Sequence, residues 1–265
     1  MAEHGLDEKV IGVSFDGTGY GDDGHIWGGE FFVCDLNNYE RITHFEYLPM
    51  PGGDLVTKEP WRTAVSYLYR YFGKDFLGLG LDFLKNIPKT KINLVVEAMD
   101  KNINAPLSSS CGRLFDAVSA MIDLCPLSKF HAEAPMRLQS IAVPNITEAY
   151  SFNAGQTISF GPTFSGIIHD LKNNIPTAII SAKFHNTLIN VIFAAVSKIR
   201  QTRDIRKVVL SGGSFQNAIL LAGAERKLIK NSFDVFAHEK VPSNDGGIAL
   251  GQLAIAAKRR SLKCV

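Results

Sequence analysis

Apolar and polar positions change their period twice along the chain, and the changes divide it into three stretches. Residues 9–16, 26–34 and 41–47 are short runs of β-branched and aromatic side chains separated by Gly, Asp and Asn, which predict an antiparallel meander. The segment PMPGGD at 49–54 ends it. Thr57 stands before Glu59 and Pro60 as an N-cap followed by proline in the first helical turn, and Trp61, Val65, Leu68 and Tyr69 recur at helical spacing. Ile92, Val95, Val96 and Met99 form one helical stripe. Leu114, Phe115, Val118, Met121 and Ile122 form another after SSSCG. Further helical patterns cover about 132–142, 163–172 and 177–200, so the middle of the chain is an α-rich block. The last stretch returns to strands. Lys207 to Ser211 is an apolar strand ending in Gly212 and Gly213, 215–230 a helix, 233–237 a strand, and NDGG opens a helix from Ile248. This order of strand, glycine turn, helix, strand, glycine turn and helix marks an α/β protein, and no repeat, low-complexity tract or clear linker interrupts it.

With 265 residues of which 46% are apolar, the chain can bury a substantial core as one large domain or two small ones. Its net charge of +2 comes from mixed charges, the dense basic cluster being Lys258, Arg259, Arg260 and Lys263. A nucleic-acid face is not indicated. The cysteines Cys34, Cys111, Cys125 and Cys264 have no C-x-x-C pairing, so neither a zinc knuckle nor a disulfide framework is readable, and a reducing cytoplasm suits them. No apolar run approaches the ~18 to 20 residues of a membrane span, and MAEHGLDEK lacks the apolar core of a signal peptide. The expectation is a soluble cytoplasmic protein with neither nucleic acid nor membrane as partner.

Candidate chemistry concentrates at three glycine turns. FDGTGYGDDGHIWGGEFF, residues 15–32, places six glycines and three aspartates directly after an apolar run, as a tight hairpin or a phosphate and metal cradle would. DGTGYG, SGGSFQN and NDGGIALG share glycines that let backbone approach a ligand and turn N–H groups inward. In the last two a helix follows at once, adding the positive end of its dipole. Any one of these turns is an ordinary packing device; three in one chain, two with an embedded Asp, favour a nucleotide site. Neither a Walker A sequence nor a G-x-G-x-x-G fingerprint is present. Asp16 and Asp245 stand where oxygen ligands of a divalent cation are often placed, although each also suits a cap, and Asn244 or Asp245 is an ordinary N-cap for the helix behind it. Asp22 and Asp23 read as solvated turn residues. His185, among Phe184, Leu188 and Ile189, reads as a hydrogen-bonded core histidine. His25, His44, His131, His169 and His238 are scattered and read as exposed, and no G-x-S-x-G elbow supports a serine nucleophile.

The segments VIGVSFDGTGYG with DGHIWGGEF, LPMPGGD with EPWR, SS-x-GRLFDAV at 109–118, FHNTL at 184–188, VVLSGGSFQN and VPSNDGGIALGQ follow one another over nearly the whole chain. In this combination the sequence strongly resembles the C-terminal part of the HypF family, the carbamoyltransferases of nickel–iron hydrogenase maturation. That domain is similar to the Kae-type and TsaD tRNA-modification proteins of the actin-like ATPase superfamily, which bind a nucleotide between two lobes. The resemblance implies that residues 1–265 are the second lobe and helical insertion of a carbamoyl-transfer domain. The first lobe and the YrdC-like, zinc-finger and acylphosphatase-like domains of the family are absent from the sequence.

In the family, the YrdC-like domain makes carbamoyl-adenylate from carbamoyl phosphate and ATP, and the Kae-type domain passes the carbamoyl group to the C-terminal cysteine of HypE. Matching motifs imply that Asp16 and Asp245 are metal carboxylates, for Mg, Fe or Zn. They imply that Gly17, Thr18 and Gly19 form a phosphate loop, that Asp116 is the ribose-side acid, and that Gly212, Gly213 and Asn217 form the adenosine-side turn for ATP, AMP or carbamoyl-adenylate. The family's H-H-x-A-H cluster, which completes the metal site, lies just upstream of the segment that reads MAEHGL here. A family E-G-Q-A-A segment appears as HAEAP, with His131 and Glu133 replacing its glutamate and glutamine, and Gln139 stands where glutamate is usual. Two alternatives stay open: a non-catalytic nucleotide-binding or HypE-docking module, and an O-carbamoyltransferase of antibiotic biosynthesis.

Overall fold

The computed structural model describes residues 1–263, so Cys264 lies outside the described residues. Strands β1 (Val10–Tyr20), β2 (Ile26–Cys34), β3 (Tyr39–His44) and β4 (Leu48–Pro49) come first. The helical block follows as α1 (Leu55–Lys58), α2 (Pro60–Phe72), α3 (Asp82–Lys85) and α4 (Lys89–Asp100), then β5 (Leu107–Ser108), α5 (Cys111–Met121) and α6 (Glu133–Ile141). A small pair, β6 (Asn153–Ala154) and β7 (Ile158–Ser159), precedes α7 (Gly161–Lys172) and α8 (Thr177–Arg203). The chain returns to the sheet with β8 (Lys207–Ser211), α9 (Ala218–Lys230), β9 (Asp234–Phe236) and α10 (Ile248–Lys263).

The expected meander is present, and the last stretch joins it. β1 lies at the centre of a seven-stranded mixed sheet of order β4-β5-β2-β1-β8-β9, with β3 also on β2. β1 pairs antiparallel with β2 and parallel with β8, Ile11 facing Val208 and Ser14 facing Ser211. Along β1, Ile11, Val13 and Phe15 point into the core and are fully buried, which is the period-2 pattern of a strand with one face against helices. That alternation stops at Phe15. Between the pairs Phe15 with Gly29 and Gly19 with Trp27 the register shifts, so Asp16, Gly17 and Thr18 oppose the single residue Gly28 in a bulge.

Every residue of α5 is buried, the pattern of a helix enclosed on all sides, and its apolar surface meets α2 and the end of β1. α8 contradicts the expectation of no membrane-length apolar segment: an 18-residue window within its 27 residues has mean hydropathy 1.4. Scattered Ser, His, Asn and Thr residues hide this from a count of consecutive apolar positions. Two thirds of that window, 67%, is buried inside the fold, as in a core helix.

Several boundaries move, β1 running on to Tyr20 instead of ending at residue 16. Thr57 belongs to the separate turn α1, where its hydroxyl donates to the Asp54 carbonyl, and Glu59 occupies the N-cap position before Pro60. The run 41–47 breaks at Phe45, which turns into the core against Phe15 with 4.9 Å between ring centroids. The helix expected from Phe215 begins at Ala218, because Asn217 caps it by accepting from Leu220 N–H at 3.0 Å.

Candidate functional site

Because β1 and β8 run parallel side by side, their carboxyl ends open on the same edge of the sheet, where ligands of open α/β sheets bind. The three glycine turns meet there. Phe215 stacks on Phe15 with ring centroids 5.6 Å apart and 10° between planes, which pins SGGSF against the last core residue of β1. Gly212 has φ of 105°, and a Cβ on it would lie 2.1 Å from the Phe15 carbonyl oxygen. Only glycine fits. Its N–H donates to the Ser243 carbonyl at 3.1 Å, bringing in the loop before Asp245. A Cβ on Gly213 would lie 3.1 Å from Asp16 Oδ1 and 3.9 Å from Asn244 Cβ, so Gly213 separates the first turn from the third.

The DGT bulge is held from beneath by α5. Asp16 Oδ1 accepts from Gly17 N–H at 2.7 Å. The Ser110 hydroxyl, the N-cap of α5, shares its proton between the carbonyls of Asp16 (3.0 Å) and Gly17 (2.8 Å) while accepting from Arg113 N–H at 3.0 Å. A Cβ on Gly112 would meet Gly17 Cα at 2.9 Å, and one on Gly28 would meet the Asp16 carbonyl oxygen at 2.5 Å. Close backbone packing of bulge and helix therefore depends on small residues. Thr18 is exposed at the rim and Gly19 rejoins the strand opposite Trp27. Asp245 is exposed in the 3-10 turn Asp245–Gly247, and the cap of that turn is Asn244, whose Oδ1 accepts from Gly246 N–H at 3.1 Å.

Two of the expected site residues sit deeper. Asp116 is 2% exposed and lies 3.0 Å from the buried Arg113 guanidinium. Desolvation outweighs the Arg113 charge and pushes its carboxyl up to about 6. Among the described residues, Arg113 Nε and Nη1 have no hydrogen-bond partner. Asn217 donates from Nδ2 to His185 Nε2 at 2.9 Å, and His185 Nδ1–H donates to the Ser181 carbonyl at 2.8 Å. His185 is the expected core histidine. Burial lowers its pKa to about 4, which keeps it neutral and fixes its tautomer.

Glu30 is a further candidate that sequence reasoning passed over. It is 1% exposed, its Oε2 accepts from Gly29 N–H at 2.7 Å, and its Oε1 accepts from the Ser109 hydroxyl. Burial pushes its pKa up to about 7. The glycine pair before it, in WGGE, was the available signal: a Cβ on Gly29 would meet the Ser109 carbonyl oxygen at 2.4 Å. Asp22 and Asp23 are exposed turn residues, as expected, but Asp23 is also held by neighbouring side chains. It accepts from Trp27 Nε1 (2.8 Å), Tyr47 OH (2.6 Å) and Arg41 Nη2 (2.7 Å), and these hydrogen bonds overcome its desolvation to hold its carboxyl well below the usual range. Asp22 likewise accepts from the Tyr39 hydroxyl. Among the histidines expected to be exposed, His131 and His169 are so, whereas His25, His44 and His238 are half-buried.

Among the described residues no group of three or more His, Cys, Asp or Glu side chains converges as a metal site. Asp16 and Asp245 nevertheless suit a divalent cation as part of a ligand set. Both are hard oxygen donors on turns that flank Gly213, and the absent side chain at Gly213 leaves open the space beside Asp16 Oδ1.

A mixed sheet whose three glycine turns meet at the carboxyl ends of the parallel strands β1 and β8 is an α/β lobe of the Kae1-like fold. The family model described as the second subdomain of the Kae1-like domain of carbamoyltransferase matches residues 12–252. Carbamoyltransferase HypF of Synechocystis sp. is 37% identical over 284 residues, covering 100% of this chain and 36% of that protein. Carbamoyltransferase HypF2 of Cupriavidus necator is 32% identical, covering 98% of this chain and 35% of that protein. A crystal structure of full-length HypF in its phosphate- and nucleotide-bound form superimposes with a TM-score of 0.92 at 41% identity, over 97% of this chain and 41% of that one. The chain belongs to the HypF carbamoyltransferase family, as the second subdomain of its Kae1-like domain. It spans about a third of the length of the curated relatives it matches.

Proposed function

We propose that this chain is the second lobe and helical insertion of a carbamoyl-transfer domain, and that it binds an adenine nucleotide or carbamoyl-adenylate at the edge formed by β1, β8 and the NDGG turn. The observation that carries the reading is the meeting of three glycine turns around Asp16, with Gly213 between Asp16 and Asn244. The relatives' shared name, and the nucleotide in the superimposable HypF crystal structure, agree with it.

In the reaction, a cysteine thiolate attacks the carbonyl carbon of carbamoyl-adenylate. A C–S bond forms, the C–O bond to phosphate breaks, and AMP leaves with the electron pair. Negative charge passes through the carbonyl oxygen to the phosphate, so fixed donors and positive charge are the groups that lower the barrier. Backbone N–H groups of Gly17, Thr18 and Gly19 serve the phosphate, Gly212 and Gly213 admit the adenosine to close approach, and Asn217 and Asp116 stand on the adenosine side. Asp16 and Asp245, together with upstream histidines of the full-length family, would hold a divalent cation, which would supply charge neutralisation for the leaving phosphate. The acceptor is the C-terminal cysteine of a HypE-like protein, and the cytoplasm is the compartment in which that thiol stays reduced.

The test is carbamoyl transfer from pre-formed carbamoyl-adenylate to HypE, followed by mass spectrometry, using this chain alone and this chain with the upstream part of a HypF protein supplied. Transfer that requires this chain supports the reading. Nucleotide binding without transfer in either mixture would make it a non-catalytic nucleotide-binding or docking module.

A further inference from the structure

The N-terminal turn is tied to the loop that carries Asp245 by side chains with no part in the mechanism above. Glu3, in the 3-10 turn Ala2–His4, has a side chain only 5% exposed. Its Oε1 accepts from the backbone N–H groups of Glu239, at 2.8 Å, and of Lys240. Its Oε2 lies 3.3 Å from His238 Nδ1, and His238 Nε2 lies 3.0 Å from the Ser211 hydroxyl. Beside it, His4 Nε2 donates to the Ala237 carbonyl at 2.6 Å, and its ring packs on Phe236 with centroids 5.3 Å apart.

The loop 237–244 between β9 and the Asp245 turn has no regular secondary structure, so its placement depends on what its backbone groups bind. One carboxylate takes two successive N–H groups of that loop, an arrangement stronger than neutral hydrogen bonds. A neighbouring imidazole takes the Ala237 carbonyl. The ring of His238 then joins this assembly to Ser211, directly ahead of Gly212, whose own N–H holds Ser243. The second and third glycine turns are thus cross-linked through His238 and backed by the N-terminal turn.

We propose that Glu3, His4 and His238 form a latch that fixes Asp245 relative to Asp16. They are positioning residues and touch neither nucleotide nor cation. The inference rests on the reading of Asp16 and Asp245 as a pair that shares one divalent cation. A loop free to shift by an ångström would leave each carboxylate to bind alone and weakly, since shared coordination requires both oxygens within one ligand shell.

The experiment is a Mn2+ titration of the isotopically labelled chain, read by paramagnetic broadening of the Gly17 and Gly246 amides, with hydrogen exchange of amides 239–247 and a thermal melt on the same samples. Even millimolar binding is measurable this way. The variants are Glu3→Ala, His238→Phe and, as conservative control, Glu3→Gln, whose amide oxygen still accepts from the loop. In the unaltered chain both amides should broaden with one midpoint. In Glu3→Ala and His238→Phe the two midpoints should separate, the one at Gly246 weakening at least about fivefold, while exchange at 239–247 rises about tenfold, equivalent to about 1.4 kcal/mol of lost local protection. Adenosine binding should stay within about twofold, and Glu3→Gln should recover most of the common midpoint. A common midpoint that persists in folded Glu3→Ala and His238→Phe overturns the latch, as does unchanged exchange. Separate midpoints already present in the unaltered chain would instead defeat the shared-cation reading, and the positioning role with it.

Discussion

Asp16 Oδ1 and Gly213 are so close that a methyl group on Gly213 would lie 3.1 Å from that oxygen, whereas a methyl group on the preceding Gly212 would lie 2.1 Å from the backbone oxygen of Phe15. The two glycines are therefore required for different reasons. Gly213→Ala is expected to fold, moving the Asp16 carboxylate by a few tenths of an ångström, and to weaken AMP binding. Gly212→Ala meets backbone in a left-handed conformation and should lose roughly 3 kcal/mol of stability or more. Urea melts beside calorimetric AMP titrations check both, and equal stability of the two variants would contradict the assignment.

Asp16→Asn separates charge from shape. The asparagine Oδ1 still accepts from Gly17 N–H, a bond of 2.7 Å in the native site, so stability should change by less than about 1 kcal/mol. Carbamoyl transfer by a full-length enzyme carrying the same change should fall by about a hundredfold, because a cation loses a negative ligand. Full activity would reduce DGTGYG to a turn whose acid only shapes the backbone.

Glu30 makes the fold sensitive to alkali over a defined window. Its folded pKa is raised from 4.5 to about 7 by burial, so the native state holds a proton that the unfolded chain releases. Its stabilising contribution is complete below pH 4.5 and is lost as pH rises through 7, a loss of up to about 3 kcal/mol. Glu30→Gln keeps an acceptor for Gly29 and a donor for Ser109, and should flatten the decline. Urea midpoints between pH 4 and 8 measure it; identical slopes in both proteins would remove Glu30 from the account.

His185 acts in the opposite sense. Burial lowers its pKa from 6.5 to about 4, so its contribution is present above pH 6.5 and is lost as pH falls through 4. Protonation would set an N–H against Asn217 Nδ2 and release the cap of α9. His185→Gln is expected to abolish up to about 3 kcal/mol of acid sensitivity while lowering stability at pH 7 by about 1 to 2 kcal/mol. Acid-limb urea titrations of the single variants and of the Glu30→Gln, His185→Gln pair distinguish the two contributions, which oppose each other between pH 4.5 and 6.5.

Local pattern was enough for most elements and for the turns. The alternation through Ile11, Val13 and Phe15, the helical stripes of α2, α4 and α5, and the strand Lys207–Ser211 all depend on side-chain period and burial, which neighbours in sequence already encode. The same local logic failed at caps. Glu59 is the N-cap before α2 and Asn217 the N-cap before α9, because proline geometry and a side-chain bond to Leu220 outrank the apolar period. Asp23 is the exposed turn residue its local pattern predicts, but its partners Arg41 and Tyr47, 18 and 24 residues further on, could not be read from that pattern.

By itself the sequence determined the α/β class, the three glycine turns, the family to which they belong, and Asp16 and Asp245 as candidate ligands, because glycine, carboxylate and period are properties of short segments. Only the tertiary structure decided that β8 lies parallel beside β1, which brings Gly213 between Asp16 and Asn244. It also decided that Glu30 is buried against Ser109, and that Glu3 reaches a loop 236 residues away. Strand order and burial are set by how all the apolar surfaces are satisfied together. A proton affinity or a hydrogen bond between distant segments therefore exists only once the chain has closed around it.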